Sequence, residues 1–153
     1  MTIRTESRTT IAGGIDEVWA YLSDVRRWPE WAPTVLQCRV RGGGPLEPGA
    51  QVEQRAKDLW WTHRRIEDVT AVEPPRHMEF AGTMWTSPAR WAMELEPTGD
   101  GQTDATMWIE VDLGGVRRAI AGPLQGSIQR VSGREMAGIK SAVESAARQG
   151  AGS

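Results

Sequence analysis

The sequence predicts an α+β fold in which a curved antiparallel sheet of seven strands wraps around one long C-terminal helix. Within residues 34–113, several segments alternate cleanly between apolar and polar residues. Such alternation is typical of antiparallel strands with one buried face and one wet face. From Gly115 to about Arg148, apolar residues recur at steps of three or four, as along one face of a helix. These two periodicities define the predicted fold class.

The N-terminal segment is predicted to form one strand followed by two short helices. Residues 3–11 alternate, and two glycines then end this strand. Residues 15–24 carry apolar residues at helical spacing, with Asp16 and Glu17 in the first turn, where acidic residues are favourable. Two prolines limit residues 27–33 to one short helix and a bend, because proline disfavours helix in the residue before it.

Six further strands are predicted before the long helix, over residues 34–41, 50–57, 59–72, 76–85, 89–96 and 104–113. Gly122 and Pro123 are expected to kink or divide the C-terminal helix, because proline removes a backbone donor and clashes with the preceding turn. A curved sheet around one helix leaves space between them, which is either filled by side chains or remains as a cavity.

Length, charge and cysteine content restrict the class of protein. The 153 residues suit one domain, predicted over residues 1–148 with a disordered tail at 149–153. The net charge of −2 and the lack of basic clusters argue against nucleic-acid binding. No apolar run approaches the roughly 20 residues that span a bilayer, and the N-terminus lacks the apolar core of a signal peptide. The single Cys38 excludes an internal disulfide, so we expect a cytoplasmic protein.

No metal or cofactor is predicted. His63 and His77 are the only histidines, and they belong to different predicted strands without metal-spaced cysteines or carboxylates. No serine stands in a nucleophile-elbow pattern, and the glycine-rich segments lack the strand-to-helix context of a phosphate-binding loop.

The predicted inner face combines large apolar side chains with small polar ones. Eight tryptophans stand against one tyrosine and one phenylalanine, which suits either a bulky core or a pocket for flat apolar molecules. The candidate ligand-binding residues are Trp28, Gln54, Trp60, Thr62, Arg64, Met78, Phe80, Trp91, Met107 and Leu124. The alternative is that the large side chains form plain core and the polar ones bind ordered water. Trp61 and Trp108 are expected to face outward, where an exposed aromatic patch would suit a homodimer contact.

The segment Leu59–Ile66 reads LWWTHRRI and contains the main candidate for chemistry. Alternation divides residues 60–67 into two faces. One face carries Trp61, His63, Arg65 and Glu67, and it is expected to be wet because three of these four side chains are charged or titratable. Trp60, Thr62 and Arg64 are therefore expected to face inward. A buried guanidinium requires a partner. Arg64 either binds a ligand oxygen, or reaches solvent at the strand end, or pairs with a helix acid such as Glu135.

Several segments resemble the SRPBCC superfamily, which has the START-like helix-grip fold. The N-terminal segment IAGGIDEVWAYLSDVRRWPEW, the hairpin segment IEDVTAVEPPRHMEF, the last hairpin RWAMELEPTGDGQTDATMWIEVDL and the long final helix carry this resemblance over nearly the whole chain. The resemblance implies a sheet that grips the C-terminal helix. The superfamily includes lipid carriers, hormone-binding proteins and polyketide aromatase/cyclases, so fold alone does not give the function.

One subgroup resemblance is more specific. Bacterial polyketide aromatase/cyclases carry a Trp-x-Ser-x-Arg run on a cavity strand, and residues 60–64 are similar, with threonine in place of serine. This resemblance implies that Arg64 polarises a ketone, that Thr62 hydrogen-bonds the substrate, and that Trp28 and Trp60 form the cavity wall.

Three functions remain open from the sequence. The first is binding of a small hydrophobic or aromatic molecule between the sheet and the last helix. The second is aromatase/cyclase-type catalysis on a polyketide, with Arg64 as the electrophile and Thr62 or water relaying protons. The third is a protein-interaction module whose cavity is filled.

Overall fold

The fold is an antiparallel sheet of seven strands against a long helix, as predicted. The structure of the protein, a computed structural model, describes residues 1–58 and 60–151. The strand order is β1-β7-β6-β5-β4-β3-β2. The strands are β1 (Thr2–Ala12), β2 (Val35–Val40), β3 (Gln51–Asp58), β4 (Trp61–Glu73), β5 (His77–Met84), β6 (Ser87–Pro97) and β7 (Gln102–Asp112). Leu59 is the first residue of the strand predicted over residues 59–72, and it lies outside the described residues.

Helices occur at the predicted places along the chain, and one further short helix over residues 41–43 was not predicted. They are α1 (Ile15–Ser23), the 3₁₀ helices η1 (Val25–Glu30), η2 (Arg41–Gly43) and η3 (Gly115–Ile120), and α2 (Ala121–Ala151). The C-terminal helix is divided as predicted, although the division falls between η3 and α2, just before Gly122. Pro123 lies in the first turn of α2, where a missing backbone donor has no consequence. Of the predicted tail, residues 149–151 belong to α2, and residues 152–153 lie outside the described residues.

An aromatic cluster dominates the core between the sheet and η1. Trp28 is buried, and its indole Nε1 donates to the carbonyl of Leu22 at 2.9 Å. Its ring meets those of Phe80 and Trp91 edge-on at 5.2 and 5.3 Å between centroids, and the last two rings stack at 4.5 Å. Such contacts add to the free energy gained by burying the rings. The cluster therefore fixes η1 against β5 and β6.

Polar side chains join α2 to the edge strand β1. Gln125 and Gln129 donate to the carbonyls of Arg4 and Glu6, and Lys140 donates to the carbonyl of Thr10. Further along, the backbone N–H of Ala12 donates to Glu144 at 2.9 Å. An edge strand otherwise exposes unpaired backbone groups, and here the helix satisfies them. We call this row of contacts the α2–β1 seam.

Candidate functional site

A cavity of about 260 Å³, here called the central pocket, lies between the sheet and α2. Five parts of the chain form its walls: η1 with the segment after it, the inner faces of β3 and β4, the β5–β6 hairpin, β7, and α2. The residues that line the pocket include Trp28, Trp31, Gln54, His63, Arg65, Glu67, Trp85, Trp91, Met107, Val131 and Glu135. Trp85 and Val131 are 49% and 41% exposed, so they mark where the pocket opens to solvent.

The inner face of β4 brings a charged group into this largely aromatic pocket. Glu67 is only 6% exposed, and its Oε2 accepts from Nε2 of Gln54 at 3.0 Å and from Nε1 of Trp91 at 3.1 Å. Arg65 is half-buried and lies directly opposite Gln54 in the β3–β4 pairing. These neighbours explain how a carboxyl group is tolerated inside the sheet, because both of its partners donate hydrogen bonds to it.

A second carboxyl group enters the pocket from α2. Glu135 is half-buried, and burial raises its pKa to about 7, with Arg65 opposing and Glu67 adding to that rise. Burial also raises the pKa of Glu67, against the hydrogen bond from Trp91 and the charge of Arg65. The pocket therefore holds one fixed positive charge and two carboxyl groups that keep their protons to higher pH than usual.

The predicted orientation of the LWWTHRRI segment is wrong by one residue. His63, Arg65 and Glu67 face inward, whereas Thr62 and Arg64 are exposed on the outer face of β4. The Arg64 side chain is 67% exposed, and its Nη1 lies 3.5 Å from Oε2 of Glu53. Trp60 lies in the β3–β4 turn and is 86% exposed, so it forms no wall of the pocket.

A β-bulge lies further along the same strand. Val69 pairs with Phe80, but Ala71 pairs with Glu79 and Val72 with Met78, so the register shifts within β4. Inward positions are odd-numbered before the shift and even-numbered after it, because an extra residue is inserted. The wrong orientation came from taking the charged face as the wet one, whereas the inward charges compensate each other inside the pocket.

The other predicted site residues divide into two groups. Trp28, Gln54, Trp91 and Met107 line the central pocket. Met78 and Phe80 are buried in the core and Leu124 is partly buried against it, and none of these three belongs to the pocket wall.

Three charged residues of the pocket, Arg65, Glu67 and Glu135, were not among the predicted ligand-binding residues, although the sequence contains a signal for each. Arg65 and Glu67 are two positions apart, so any strand places their opposite charges on one face. Glu135 stands in the apolar stripe of the last helix, seven residues after Ile128 and four before Ile139. An acidic residue at such a position is directed toward the core side of the helix.

The outward Trp108 forms no exposed patch. It is only 7% exposed because the guanidinium of Arg4 lies 4.6 Å from its ring centroid, with that of Arg90 at 5.8 Å, and its Nε1 donates to Glu94. Trp61 is 67% exposed because it begins β4, but it lies on the same face of the strand as the inward His63, with 6.4 Å between their ring centroids, so its predicted outward orientation is wrong.

Other chemistries find little support in the described part of the chain. Cys38 is buried, and burial with the nearby Glu67 charge raises the pKa of its thiol to about 12, so it is a poor nucleophile. Within residues 1–58 and 60–151, no three His, Cys, Asp or Glu side chains gather as metal ligands would. None of the described helices has the length and apolarity needed to cross a bilayer.

A profile of the family described as polyketide cyclase / dehydrase and lipid transport matches residues 2–144. The chain belongs to this family. Its membership agrees with the fold, because a sheet that grips a C-terminal helix around a pocket is the architecture described above. No curated protein matches the sequence significantly.

Solved structures with the same fold include aromatase/cyclases. The di-domain ARO/CYC BexL from the BE-7585A biosynthetic pathway aligns with a TM-score of 0.79 and 15% identity, over 93% of this chain and 46% of that chain. The Zhui aromatase/cyclase from Streptomyces sp. R1128 aligns with a TM-score of 0.75 and 13% identity, over 94% of each chain. This family member spans about half the length of the di-domain proteins BexL and StfQ.

A START superfamily protein from Mycobacterium smegmatis also aligns, with a TM-score of 0.67 and 15% identity, over 95% of this chain and 97% of that chain. Identities this low show a shared fold and no more. The family and the helix-grip architecture predicted from the sequence are thus confirmed.

Proposed function

We propose that this protein binds a small, flat, oxygen-bearing apolar molecule in the central pocket. The observation that carries the proposal is the placement of Arg65 between tryptophan walls and two carboxyl groups in one partly enclosed space. Aromatic walls favour a flat apolar body, and a few convergent polar groups fix its orientation.

The size of the pocket favours a compact ligand. Its volume of about 260 Å³ lies just below the roughly 300–1,000 Å³ common for drug-sized ligands. A molecule of two or three fused rings suits this space better than a long acyl chain. An unfilled pocket also weighs against the third hypothesis from the sequence, an interaction module with a filled interior.

Two donors support recognition of ligand oxygens. Arg65 interacts with Glu135 and Glu67 through charge, but among the described residues no carboxylate oxygen lies within 4.0 Å of its guanidinium. Its planar set of N–H groups therefore suits a ketone or phenol oxygen of a ligand. The indole N–H of Trp31, also in the pocket wall, is buried and has no acceptor within the part of the chain that the structure describes.

The test compares two adjacent arginines that face opposite ways. Arg65→Met should raise the Kd for a polyhydroxylated planar aromatic by about 10- to 100-fold, since a hydrogen bond to a charged group contributes roughly 1.5–3 kcal/mol. Arg64→Met removes the same charge from the outer face and should leave the Kd unchanged. Quenching of tryptophan fluorescence, corrected for inner-filter absorption, measures binding, with a fatty acid and a sterol as comparison ligands.

Arg65→Lys serves as a second variant, because it keeps the charge in the pocket and loses only the planar donor set. We expect an intermediate Kd for it. If folded wild-type protein shows no saturable quenching with any of the three ligands, or if both arginine variants weaken binding equally, the proposed site is wrong.

A second candidate function, aromatase/cyclase-type catalysis on a poly-ketone, is supported by Glu135. A carboxyl group with a pKa near 7 suits general acid–base catalysis at neutral pH, and Arg65 is placed to polarise a ketone in the same pocket. In this proposal Arg65 takes the role that the resemblance assigned to Arg64, and Glu135 takes the proton-transfer role assigned to Thr62.

Catalysis would appear as the formation of an aromatic chromophore from a short poly-ketone thioester. Glu135→Gln should lower the rate about 100-fold or more, in line with the usual effect of a general acid or base, and should remove the rate change near pH 7. Arg64→Met should match the wild type. If the wild type binds the poly-ketone thioester without converting it, ligand binding remains the proposed function and the catalytic proposal is wrong.

A further inference from the structure

Exposed apolar side chains gather at one end of the sheet. This end, here called the open end, is formed by the start of β2, the β3–β4 and β5–β6 turns, and the end of β7 with η3 after it, because antiparallel strands alternate in direction. Among the described residues, eight large apolar side chains are exposed, and seven of them lie there: Leu36, Trp60, Trp61, Trp85, Val116, Ile120, and Met1 beside the end of β7.

These side chains belong to separate turns and elements at this end. Trp60 and Trp61 belong to the β3–β4 turn and its first paired residue, Trp85 to the β5–β6 turn, and Val116 to η3. Trp60 is 86% exposed and Val116 is 90% exposed, so the described chain leaves them almost uncovered. Arg117 connects η3 to the β5–β6 hairpin, because its guanidinium donates to Thr86 Oγ1 at 2.7 Å and to Ser87 Oγ at 3.0 Å.

Basic side chains outnumber acidic ones at the open end, although the net charge of the whole chain is −2. Arg117 and Arg118 lie in η3, and residues 113–134 contain no acidic residue. Lys57 lies in the β3–β4 hairpin, and α2 begins at this end, so the positive end of its helix dipole points outward here. Asp112, the acidic residue at the end of β7, offsets only part of this charge.

We propose that the open end docks on the surface of an anionic lipid bilayer. Tryptophan is favoured at the interface between headgroups and acyl chains, and basic residues beside it are attracted to anionic headgroups. Separate projecting side chains can enter a fluid surface independently, whereas a folded protein partner would require a continuous complementary face. The pocket opening, marked by Trp85, lies at this end and would face the bilayer. Docking itself does not depend on what the pocket binds.

Vesicle sedimentation tests the proposal on the full chain. We expect binding to phosphatidylcholine vesicles that contain about one third phosphatidylserine, and much weaker binding to phosphatidylcholine alone. Arg118→Glu removes one positive charge and adds a negative one. It should weaken binding about 25-fold, at about fivefold for each charge near the surface. The matched control is Arg76→Glu in the β4–β5 turn at the opposite end, which should bind as the wild type does.

A double variant, Trp60→Ala with Trp61→Ala, tests the contribution of the exposed apolar side chains to vesicle binding. Both side chains are exposed, so the fold should be retained, and vesicle binding should fall about tenfold or more. Its fluorescence response to pocket ligands should follow that of the wild type through the remaining tryptophans. Failure of folded wild-type protein to sediment with anionic vesicles overturns the proposal. So does equal loss of binding in Arg118→Glu and Arg76→Glu, or binding to an acidic protein in place of vesicles.

Discussion

Replacing Gly138 with alanine is expected to destabilise the protein by about 2–3 kcal/mol, in the range measured for overpacked sites. A Cβ on Gly138 would lie 2.6 Å from the carbonyl oxygen of Trp31 and 3.4 Å from its carbonyl carbon and Cα. These are backbone atoms of the segment that forms one wall of the pocket, so the added methyl group can only be accommodated if that wall or α2 moves.

The matched control is Gly133→Ala, five residues earlier in the same helix. Its Cβ would meet nothing within 4 Å, so alanine should stabilise the protein there by about 0.5–1 kcal/mol through its higher helix propensity. The two substitutions are chemically identical, and they differ only in what surrounds the new methyl group.

Urea unfolding of both variants, followed by tryptophan fluorescence, measures the difference in free energy of unfolding. A Gly138→Ala variant as stable as the wild type would show that α2 does not approach Trp31 as closely as described. A destabilised variant with an altered Kd for the aromatic ligand would show that this contact also sets the width of the pocket.

The second large effect concerns the pH dependence of stability. The pKa of Glu135 rises from 4.5 to about 7 on folding, so the folded state retains this proton to higher pH than the unfolded state. Stability is therefore highest, as far as this residue is concerned, below about pH 4.5, and it falls as the pH rises toward 7. Glu135→Gln removes this loss and should be more stable than the wild type by about 2–3 kcal/mol at pH 8, with little difference near pH 4.5.

Glu144 gives a control of opposite sign on the same helix. Its hydrogen bonds with Lys140 and with the backbone N–H of Ala12 lower its pKa, so its ionised form stabilises the folded state above the ordinary pKa. Glu144→Gln should therefore lower stability at pH 8, and its effect should fade as the pH falls. Thermal unfolding at pH 5 and pH 8 measures both variants, and a Glu135→Gln variant less stable than the wild type at pH 8 would contradict the assignment of a raised pKa.

The element order could be predicted because it depends on local patterns. β1 and β7 alternate as predicted, with Ile3, Ile11 and Val111 buried on the inner face. The division of the C-terminal helix followed from Pro123, whose effect on the backbone is local as well. In these segments the burial of each residue agrees with its hydrophobicity and local propensity, so secondary structure can be predicted from the sequence.

The candidate site was less predictable because it depends on contacts between distant segments. Arg65 and Glu67 look like wet-face residues until Glu135, Trp91 and Gln54 are brought beside them by the fold. The bulge after Val69 also reverses the inner face of β4, and no residue type in the sequence marks it. Functional sites are where local preference and final environment disagree most.

The α2–β1 seam has a mechanical consequence for the pocket. Hydrogen bonds at Gln125, Gln129 and Lys140 fasten the helix to one edge of the sheet along most of its length. The opposite side of α2 meets the chain through packing, which includes Gly138 close to the backbone of Trp31. The helix and β1 thus form a constrained wall of the pocket, and we expect any adjustment to ligands of different breadth to occur at the β5–β6 turn, where Trp85 is exposed.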